Sequence, residues 1–496
     1  MEQGSSPSVV RLAPRDLVVL AIAVFAGLGA YLLSSTLTYR LGFPLDDSWI
    51  HAVFARNFAL HGQWAFQLGF PSAGSTSPLW TFLLVPGFWL QLEPLWWSYL
   101  LGAILLGMLG VLMETLARRL VTTYSPRVPW VGLFFVAEWH LQWAAVSGME
   151  TILHAFLLSL VIGLLLTGWP NHFVLGLLTA ISIWVRPDGL TLAAPALLVF
   201  LLAPATGRER VRSIGAYLLG ILCLLLPYLA LNTWLSGHPM PNTFYAKQAE
   251  YAAWQARPLT ERLAILLQQL VAGPAALLMP AIVLAGVRAG RERSVSVIAA
   301  LGWCIGYFVL YIVRLPAYQH GRYLIPAMPA FLLLGIVELL KLRRILVDGR
   351  YRRLLATAYA WGLIMLTFGF AVLGARAYGQ DVALIESEMV NTARWVAGNI
   401  PPGSVIAAHD IGALGYFDDH PLVDLAGLVS PEVLPFMRDQ VRLAAFLDQR
   451  RVQYLVAFPG LYPALAKQSV PVFSSEGAFA PAMGGENMTV YCWRCR

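Results

Sequence analysis

The stretch of sequence that decides the fold reads, from residue 17 to residue 51, LVVLAIAVFAGLGAYLLSSTLTYRLGFPLDDSWIH. Residues 17–38 carry no charged side chain and are long enough for a helix to cross a bilayer whose hydrocarbon core is about 30 Å thick. Two adjacent acids, Asp46 and Asp47, follow soon after this apolar run. We therefore expect an uncleaved membrane helix that leads into a polar segment with a pair of carboxylates.

The rest of the chain repeats this apolar pattern. Of its 496 residues, 58% are apolar and 12% are charged, against roughly 25% charged residues in an average soluble domain. The sequence thus excludes an ordinary soluble enzyme and predicts an α-helical polytopic membrane protein with about eleven transmembrane helices. The predicted spans are residues 17–38, 95–117, 130–146, 151–168, 173–187, 188–204, 213–236, 264–287, 294–313, 323–340 and 354–377.

The basic residues predict how the chain is oriented, because cytoplasmic loops of membrane proteins are rich in Lys and Arg. The basic clusters are Arg11 and Arg15; Arg118, Arg119 and Arg127; Arg208, Arg210 and Arg212; Arg288, Arg291 and Arg293; and Lys341 through Arg353. An odd number of crossings places these loops and the N-terminus in the cytoplasm. The first outer loop is then residues 39–94. The net charge of +7 reflects this orientation, and we expect no nucleic-acid partner.

The end of the chain differs in composition from the part before it. Residues 378–496 mix short β-rich runs with amphipathic helices and carry 8 Lys and Arg against 12 Asp and Glu. We predict two domains: a transmembrane domain at residues 1–377 and an extracytoplasmic α/β domain at residues 378–496. Cys492 and Cys495 form a C-x-x-C pair in the second domain, for which a local disulfide is one interpretation.

The polar motifs all fall in segments that are predicted to lie outside. They are Thr76-Ser77-Pro78-Leu79-Trp80, Ser147-Gly148-Met149-Glu150-Thr151, Arg186-Pro187-Asp188-Gly189, Pro241-Asn242-Thr243-Phe244-Tyr245-Ala246-Lys247 and His320-Gly321-Arg322-Tyr323. With Asp46 and Asp47 they bring acids, amides and cations to one face. Two adjacent carboxylates flanked by apolar rings can gain proton affinity and act as a general base. The alternative is that one Asp caps a helix and the other is a solvated loop charge.

In this order the motifs resemble those of the membrane-embedded glycosyltransferases of the GT-C superfamily, which use sugars linked to polyprenyl phosphate. The resemblance covers nearly the whole chain and is strong for the bacterial branch that contains the mycobacterial terminal arabinofuranosyltransferases. It implies a glycosyltransferase of the bacterial cytoplasmic membrane. The implied partners are a polyprenyl-phosphate-linked sugar donor, a glycan, lipid or protein acceptor, and membrane lipids. No cofactor or metal site is expected, the need for a divalent metal is left open, and the motifs do not imply a particular sugar.

The resemblance also implies that the acidic pair of the first outer loop supplies the catalytic carboxylate. We expect Asp46 to be the base and Asp47 to support it, with inversion at the anomeric carbon. Cations and hydrogen-bond donors are needed for the departing phosphate. The expected donor and phosphate ligands are Lys247, Arg322, Tyr245, His320, Tyr323 and Arg186. The expected substrate-binding residues are Glu150, Asn242 and Asp188.

Several of these roles have a structural alternative. Arg186 and Asp188 can form a charge pair that stabilises a tight turn, and Lys247 and Arg322 can extend toward lipid headgroups. Glu150 can cap the helix that follows it.

Two further motifs are best explained as structural. Glu138 and His140 lie inside a predicted span, where a mutual hydrogen bond would satisfy both side chains. The segment 409–417, which begins with His409 and Asp410, resembles a stretch common in the same branch of glycosyltransferases. A helix-start turn packed on a sheet explains it without a role in catalysis.

Two other functions are compatible with a polytopic chain. A transporter or lipid flippase would also hold charges near the membrane, but inverted repeats and charges at the membrane midplane are more typical of transporters. A non-catalytic scaffold that binds a partner through its C-terminal domain is the third hypothesis. Loss of glycosyl transfer on replacement of the two acids would separate an enzyme from both.

Overall fold

The computed structural model describes residues 12–316, 318–346 and 350–494. Arg11 and Cys495, on which two of the predictions above depend, lie outside these residues. Cys492, which is one of the described residues, is bonded in a disulfide. The helices of the N-terminal part are α1 Pro14–Thr38, α2 Asp47–His61, α3 Pro78–Trp89, α4 Pro94–Leu120, α5 Trp130–Ala137, α6 Trp139–Ala145, α7 Thr151–Leu166, α8 His172–Val185, α9 Ala193–Leu202, α10 Gly207–Ser236, α11 Asn242–Glu250, α12 Ala252–Gln255, α13 Leu259–Val271, α14 Ala275–Glu292, α15 Val295–Arg314, α16 Tyr318–Gly321, α17 Met328–Leu346 and α18 Arg350–Ile385.

Among the described residues, six helical segments are long and apolar enough to cross a membrane, and the bent pair α13 and α14 makes a seventh if it forms one span. These helices make the protein a multi-pass membrane protein. The predicted count of eleven is not confirmed, because several predicted spans are short or broken. The span 130–146 divides at Glu138, and the span 188–204 begins as the 3₁₀ helix Pro187–Leu192. Helices α13 and α14 meet at 102° around Gly273, whose φ of 108° favours glycine.

The two ends of α1 have different surroundings. At its start, Asp16 accepts a hydrogen bond of 3.0 Å from Arg118 at the end of α4. Just beyond its other end, Arg40 donates to Glu386, which lies beyond α18. Because α1 has 25 residues, these two ion pairs are roughly 37 Å apart along the helix axis. The basic segment at Arg118 therefore lies at the opposite end of the bundle from the acids that follow α1, while the sidedness of the membrane remains a prediction.

The C-terminal part is built on a five-stranded mixed sheet. Helix α18 runs without a break past residue 377 and continues through the π-helical segment Glu386–Val390. In the strand order β4-β3-β5-β7-β6, the pairs that include β3 are parallel and those that include β7 are antiparallel. The elements are α19 Asn391–Asn399, β3 Ile406–Ala408, α20 Gly412–Phe417, β4 Leu422–Asp424, the 3₁₀ helix Pro431–Val433, α21 Gln440–Gln449, β5 Tyr454–Ala457, α22 Pro463–Ala466, β6 Ser469–Ser474, α23 Phe479–Ala482 and β7 Thr489–Trp493.

The sheet domain packs directly on the first loop of the membrane domain. That loop contains α2 and a small antiparallel hairpin, β1 Ala65–Gln67 and β2 Phe70–Pro71. On α2, the ring of Trp49 contacts the rings of Tyr416 and Phe417, and Arg56 donates to the backbone oxygens of Gly415 and Tyr416. One hydrophobic core includes residues of both parts. This packing fixes the start of α2, with Asp46 and Asp47, against the sheet domain.

Candidate active site

A polar cavity of about 180 Å³ lies where the membrane domain meets the sheet domain. It is enclosed by the start of α2, the helix α11, the turn before α17, and the loops that follow β3 and β4. Its lining residues are Asp46, Asp47, Ile50, His51, Gly74, Thr76, Met149, Glu150, Arg186, Thr243, Lys247, Glu250, Tyr251, Gln319, Arg322, His409, Asp410, Ile411, Ala426 and Leu428.

Asp46 occupies the position before α2, but its side chain does not cap that helix. Instead, its two carboxylate oxygens accept backbone hydrogen bonds from Gly412 at 2.6 Å and Ala413 at 2.8 Å, at the start of α20. Burial and the neighbouring carboxylate of Asp410 raise the pKa of Asp46 to about 7, although the two backbone donors oppose this rise. The alternative that one acid of the pair caps the helix therefore does not hold for Asp46, which joins the two domains.

Asp47 has an opposite environment. One of its oxygens lies 2.8 Å from Arg322 Nη2 and 4.0 Å from Lys247 Nζ. Burial by itself would raise the pKa of Asp47, but the charges of Arg322 and Lys247 lower it to about 2. The two adjacent acids are thus distinct: Asp46 contacts the sheet domain and binds protons readily, whereas Asp47 stays ionised beside the cations.

The cationic side of the cavity has hydrogen-bond donors without partners. Arg322 is 6% exposed, and its Nη2 donates to Asp47 and to the hydroxyl of Tyr323, which also accepts from Lys247 at 3.1 Å. Its Nη1 is buried and has no hydrogen-bond partner among the described residues, and neither has the buried hydroxyl of Thr243. Buried polar groups normally have partners, so these two groups are suited to an anionic ligand in the cavity. Lys247 and Arg322 line the cavity beside Asp47 and do not extend toward lipid headgroups.

Arg186 and Glu150 line the cavity as a pair. Arg186 Nη1 lies 2.8 Å from Glu150, and its Nε lies 3.3 Å from Asp188. Glu150 makes no side-chain cap on α7. The carboxylate of Asp188 also accepts hydrogen bonds from the hydroxyls of Tyr307 and Tyr311. The charge-pair alternative thus describes Arg186 and Asp188 in this structure.

Five residues that the sequence analysis places at the site do not line the cavity. One is Tyr323, whose hydroxyl accepts hydrogen bonds from Arg322 and Lys247. Tyr245 packs against the rings of His238 and Phe244. It lies two residues from both Thr243 and Lys247 on α11, so its side chain points away from the helical face that those two residues share. The other three make separate contacts: His320 Nε2 lies 2.8 Å from Asp381, Asn242 Nδ2 donates to the backbone oxygen of Leu428, and Asp188 contacts the two tyrosines described above.

The sheet domain supplies lining residues that the sequence analysis did not assign to the site. The segment that begins at His409 does lead into a helix start, as expected, but that start also holds Asp46. His409 lies 2.8 Å from the hydroxyl of Tyr462 and 3.9 Å from Glu250, and it lines the cavity beside Asp410. Burial lowers the pKa of His409, but the charges of Glu250 and Asp410 raise it to about 9 overall. Two adjacent titratable residues in an apolar segment are the trace of this wall in the sequence, but the same pattern fits a structural turn.

The pair inside the predicted third span is structural, as expected. Glu138 Oε1 lies 2.8 Å from His140 Nδ1, and Glu138 Oε2 accepts from the backbone nitrogen of Leu141 at the start of α6. No three His, Cys, Asp or Glu side chains within residues 12–316, 318–346 and 350–494 are grouped as a metal site requires.

Several solved structures that share this fold are membrane glycosyltransferases of the GT-C superfamily, which confirms the resemblance at the level of the fold. The shared fold extends over most of the chain, from the membrane helices to the sheet domain. A sequence family described as a domain of unknown function (DUF8728) matches residues 377–491, which form the sheet domain. No curated protein matches the chain by sequence.

Three of these structures match this chain over different shares of their own length. ArnT from Cupriavidus metallidurans has 17% identity and a TM-score of 0.61, with 96% of this chain and 97% of that chain covered. The oligosaccharyltransferase of Archaeoglobus fulgidus has 13% identity and a TM-score of 0.60, with 89% and 67% covered. The mycobacterial arabinofuranosyltransferase AftD has 14% identity and a TM-score of 0.52; 98% of this chain matches only 40% of AftD.

Proposed function

We propose that this protein is a membrane glycosyltransferase that moves a sugar from a polyprenyl-phosphate donor to a hydroxyl group of a cell-envelope glycan, lipid or protein. The observation that carries the proposal is the buried, unpartnered Nη1 of Arg322 beside Lys247, in the cavity that also holds Asp46. The fold supports it: ArnT has been solved with undecaprenyl phosphate, and the archaeal oligosaccharyltransferase AglB with a dolichol-phosphate. The outer face of the bacterial cytoplasmic membrane is the proposed location, from the positive-inside pattern.

The cationic wall is suited to the donor phosphate. Arg322 and Lys247 are held by Asp47 and by the hydroxyl of Tyr323, so both cations are in place before a ligand enters. The free Nη1 of Arg322 and the hydroxyl of Thr243 can then donate to phosphate oxygens. Groups that are fixed in advance stabilise the charge that develops on a departing phosphate without further reorganisation.

Asp46 is the proposed base. Its raised pKa of about 7 suits proton transfer near neutral pH, and the backbone amides of Gly412 and Ala413 fix its orientation. The acceptor oxygen attacks the anomeric carbon while its proton passes to the carboxylate of Asp46. The bond from the anomeric carbon to the phosphate oxygen breaks, and polyprenyl phosphate leaves with the electron pair. This single displacement inverts the anomeric configuration.

The test is transfer by the full-length protein in lipid nanodiscs. Wild type, Asp46→Asn and the control Asp419→Asn are incubated with polyprenyl-phosphate donors that carry different sugars, together with a membrane extract as acceptor. Asp419 is an exposed acid of the sheet domain. We expect wild type and the control to release polyprenyl phosphate and label the acceptor, and we expect the Asp46 variant to be slower by about 10²-fold to 10⁴-fold. Normal turnover by Asp46→Asn would remove the base assignment, and no transfer from any donor by wild type would refute the function.

A further inference from the structure

The cavity has two walls of opposite chemistry. Arg186, Lys247 and Arg322 belong to the membrane domain and form the cationic wall. A second wall is rich in carboxylates: Asp46 and Glu250, which lie before α2 and at the end of α11, and Asp410, from the loop after β3. An anionic phosphate is attracted to the first wall and repelled by the second. The second wall therefore needs a different ligand.

The position of this wall in the sheet also points to a ligand. In open sheets with parallel strands, ligands bind outside the carboxyl ends of the strands, at the point where the strand order reverses. Strands β4, β3 and β5 are parallel neighbours in that order. The chain passes from β3 to β4 on one side of β3 and then to β5 on the other side, so the strand order reverses at the carboxyl ends of β3 and β5. His409 and Asp410 follow β3 directly, and Tyr462, which contacts His409, follows β5.

Asp410 is the group on this wall with free acceptor capacity. Its carboxylate makes no hydrogen bond or salt bridge with any other described residue, although it lines the cavity. The other polar groups nearby are engaged: Asp46 with Gly412 and Ala413, and His409 with Tyr462 and Glu250. An ionised carboxylate accepts hydrogen bonds and cannot donate any, so Asp410 is suited to a ligand with donors.

The lining of this wall narrows the class of ligand. An acyl chain would bury Asp410 and Glu250 against carbon, which is costly for ionised groups. A sugar offers several hydroxyl donors on one rigid ring, and a carboxylate can accept from two of them. The protonated His409 offsets part of the negative charge and makes the wall less selective for cations.

We propose that the loop His409–Ala413 of the sheet domain is the acceptor-binding wall of the active site, and that Asp410 binds hydroxyl groups of a neutral carbohydrate acceptor. This inference rests on the proposed glycosyl transfer and narrows its acceptor to a glycan or a sugar headgroup. The loop then serves two steps of one reaction. Asp410 positions the acceptor, and Gly412 and Ala413 hold Asp46, which removes the proton from the attacking hydroxyl.

The test measures two ligands on the same full-length protein in nanodiscs. Undecaprenyl phosphate probes the cationic wall, and its Kd is measured by microscale thermophoresis. Neutral oligosaccharides of pentofuranosyl, hexofuranosyl and hexopyranosyl units probe the acidic wall, and their binding is measured by saturation-transfer NMR. The variants are Asp410→Asn, which keeps the size and removes the charge, Lys247→Ala for the opposite wall, and Asp419→Asn as the matched control.

We expect a crossed pattern. Asp410→Asn should weaken binding of the oligosaccharide that wild type recognises by at least tenfold and change the Kd of undecaprenyl phosphate less than twofold. Lys247→Ala should weaken undecaprenyl phosphate by at least tenfold and leave oligosaccharide binding within twofold. The retained ligand in each case shows that the variant is folded.

Three results would overturn the inference: wild-type oligosaccharide affinity in Asp410→Asn, loss of both ligands in that variant, or no oligosaccharide binding by wild type. Failure of the proposed function gives a different result. In that case wild type does not bind undecaprenyl phosphate, or Lys247→Ala binds it normally, whatever happens to the sugars.

Discussion

The contact between Gly412 and Asp46 offers a way to perturb the site without changing a charged group. A Cβ placed on Gly412 would lie 2.0 Å from the backbone oxygen of Asp46 and 2.9 Å from its carboxyl carbon. Because Cβ contacts shorter than 3.0 Å are essentially never made, Gly412→Ala must push the loop and the acid apart by at least about 1 Å. That shift stretches the hydrogen bonds from Gly412 and Ala413, now 2.6 and 2.8 Å, beyond useful length.

The size of the effect follows from those two bonds. Each hydrogen bond to a charged group contributes about 1.5 to 3 kcal/mol, and water that enters the gap recovers part of the loss, so we expect a net cost of about 3 kcal/mol. A catalytic group displaced by 1 Å typically costs about 10²-fold in rate, which is a similar free energy. We therefore expect Gly412→Ala to reduce transfer from the polyprenyl-phosphate donor about a hundredfold.

The matched control is Gly398→Ala in α19 of the same domain. A Cβ on Gly398 meets no atom within 4 Å, and alanine in a helix is more favourable than glycine. Turnover is measured as release of polyprenyl phosphate by both variants in nanodiscs, with thermal unfolding recorded alongside. If Gly412→Ala kept wild-type turnover while folded, the sheet domain would not position the base, and that part of the reasoning would be refuted.

Three further predictions concern the base, the cations and the membrane. Burial and Asp410 raise the pKa of Asp46 to about 7, and a base must be deprotonated, so kcat/KM should fall about tenfold per pH unit below pH 7. A flat pH profile is compatible with the assignment for Asp46→Asn, whereas a flat profile for wild type would contradict it. Arg322→Lys keeps the charge but loses the fork that reaches Asp47, Tyr323 and the cavity together, so the Kd of undecaprenyl phosphate measured by thermophoresis should rise about tenfold, and an unchanged Kd would count against a phosphate at Arg322. In a cysteine-free background, Asp419→Cys should react with an impermeant maleimide in intact cells and Arg208→Cys only after permeabilisation; the reverse labelling would invert the topology.

The acids and cations of the site could be predicted from sequence because each lies in a short motif beside an apolar span. Asp46, Asp47, Lys247 and Arg322 do line one cavity. Spacing along α11 also carried unused information. Thr243 and Lys247 are four residues apart and share a helical face, which excludes Tyr245 from it.

The sheet-domain wall could not be located from sequence, because its residues follow the acids by more than 350 positions and meet them only through tertiary packing. Asp410 and His409 carry no local pattern that distinguishes a ligand from a turn. The close approach of Gly412 to Asp46 likewise depends on how the two domains dock. The alternative for Arg186 and Asp188 was visible as two opposite charges on either side of Pro187, and the structure shows that pair in contact.

The number of membrane spans stays a prediction, because apolar length alone does not reveal a break. Glu138 ends α5 and accepts from the first turn of α6, so one apolar run became two short helices. The turn at Gly273 bends another run by 102°. Hydropathy therefore identified a polytopic membrane protein, while the backbone geometry of these two runs required the structure.

The central claim is that a polyprenyl phosphate binds in the cavity between the two domains. A cryo-EM structure of the full-length protein in nanodiscs with undecaprenyl phosphate tests it most directly. The account predicts phosphate density within hydrogen-bond distance of Arg322 Nη1 and Lys247 Nζ, with Asp46 still bonded to Gly412 and Ala413. Phosphate density at another site, with the cavity unchanged and empty, would contradict it.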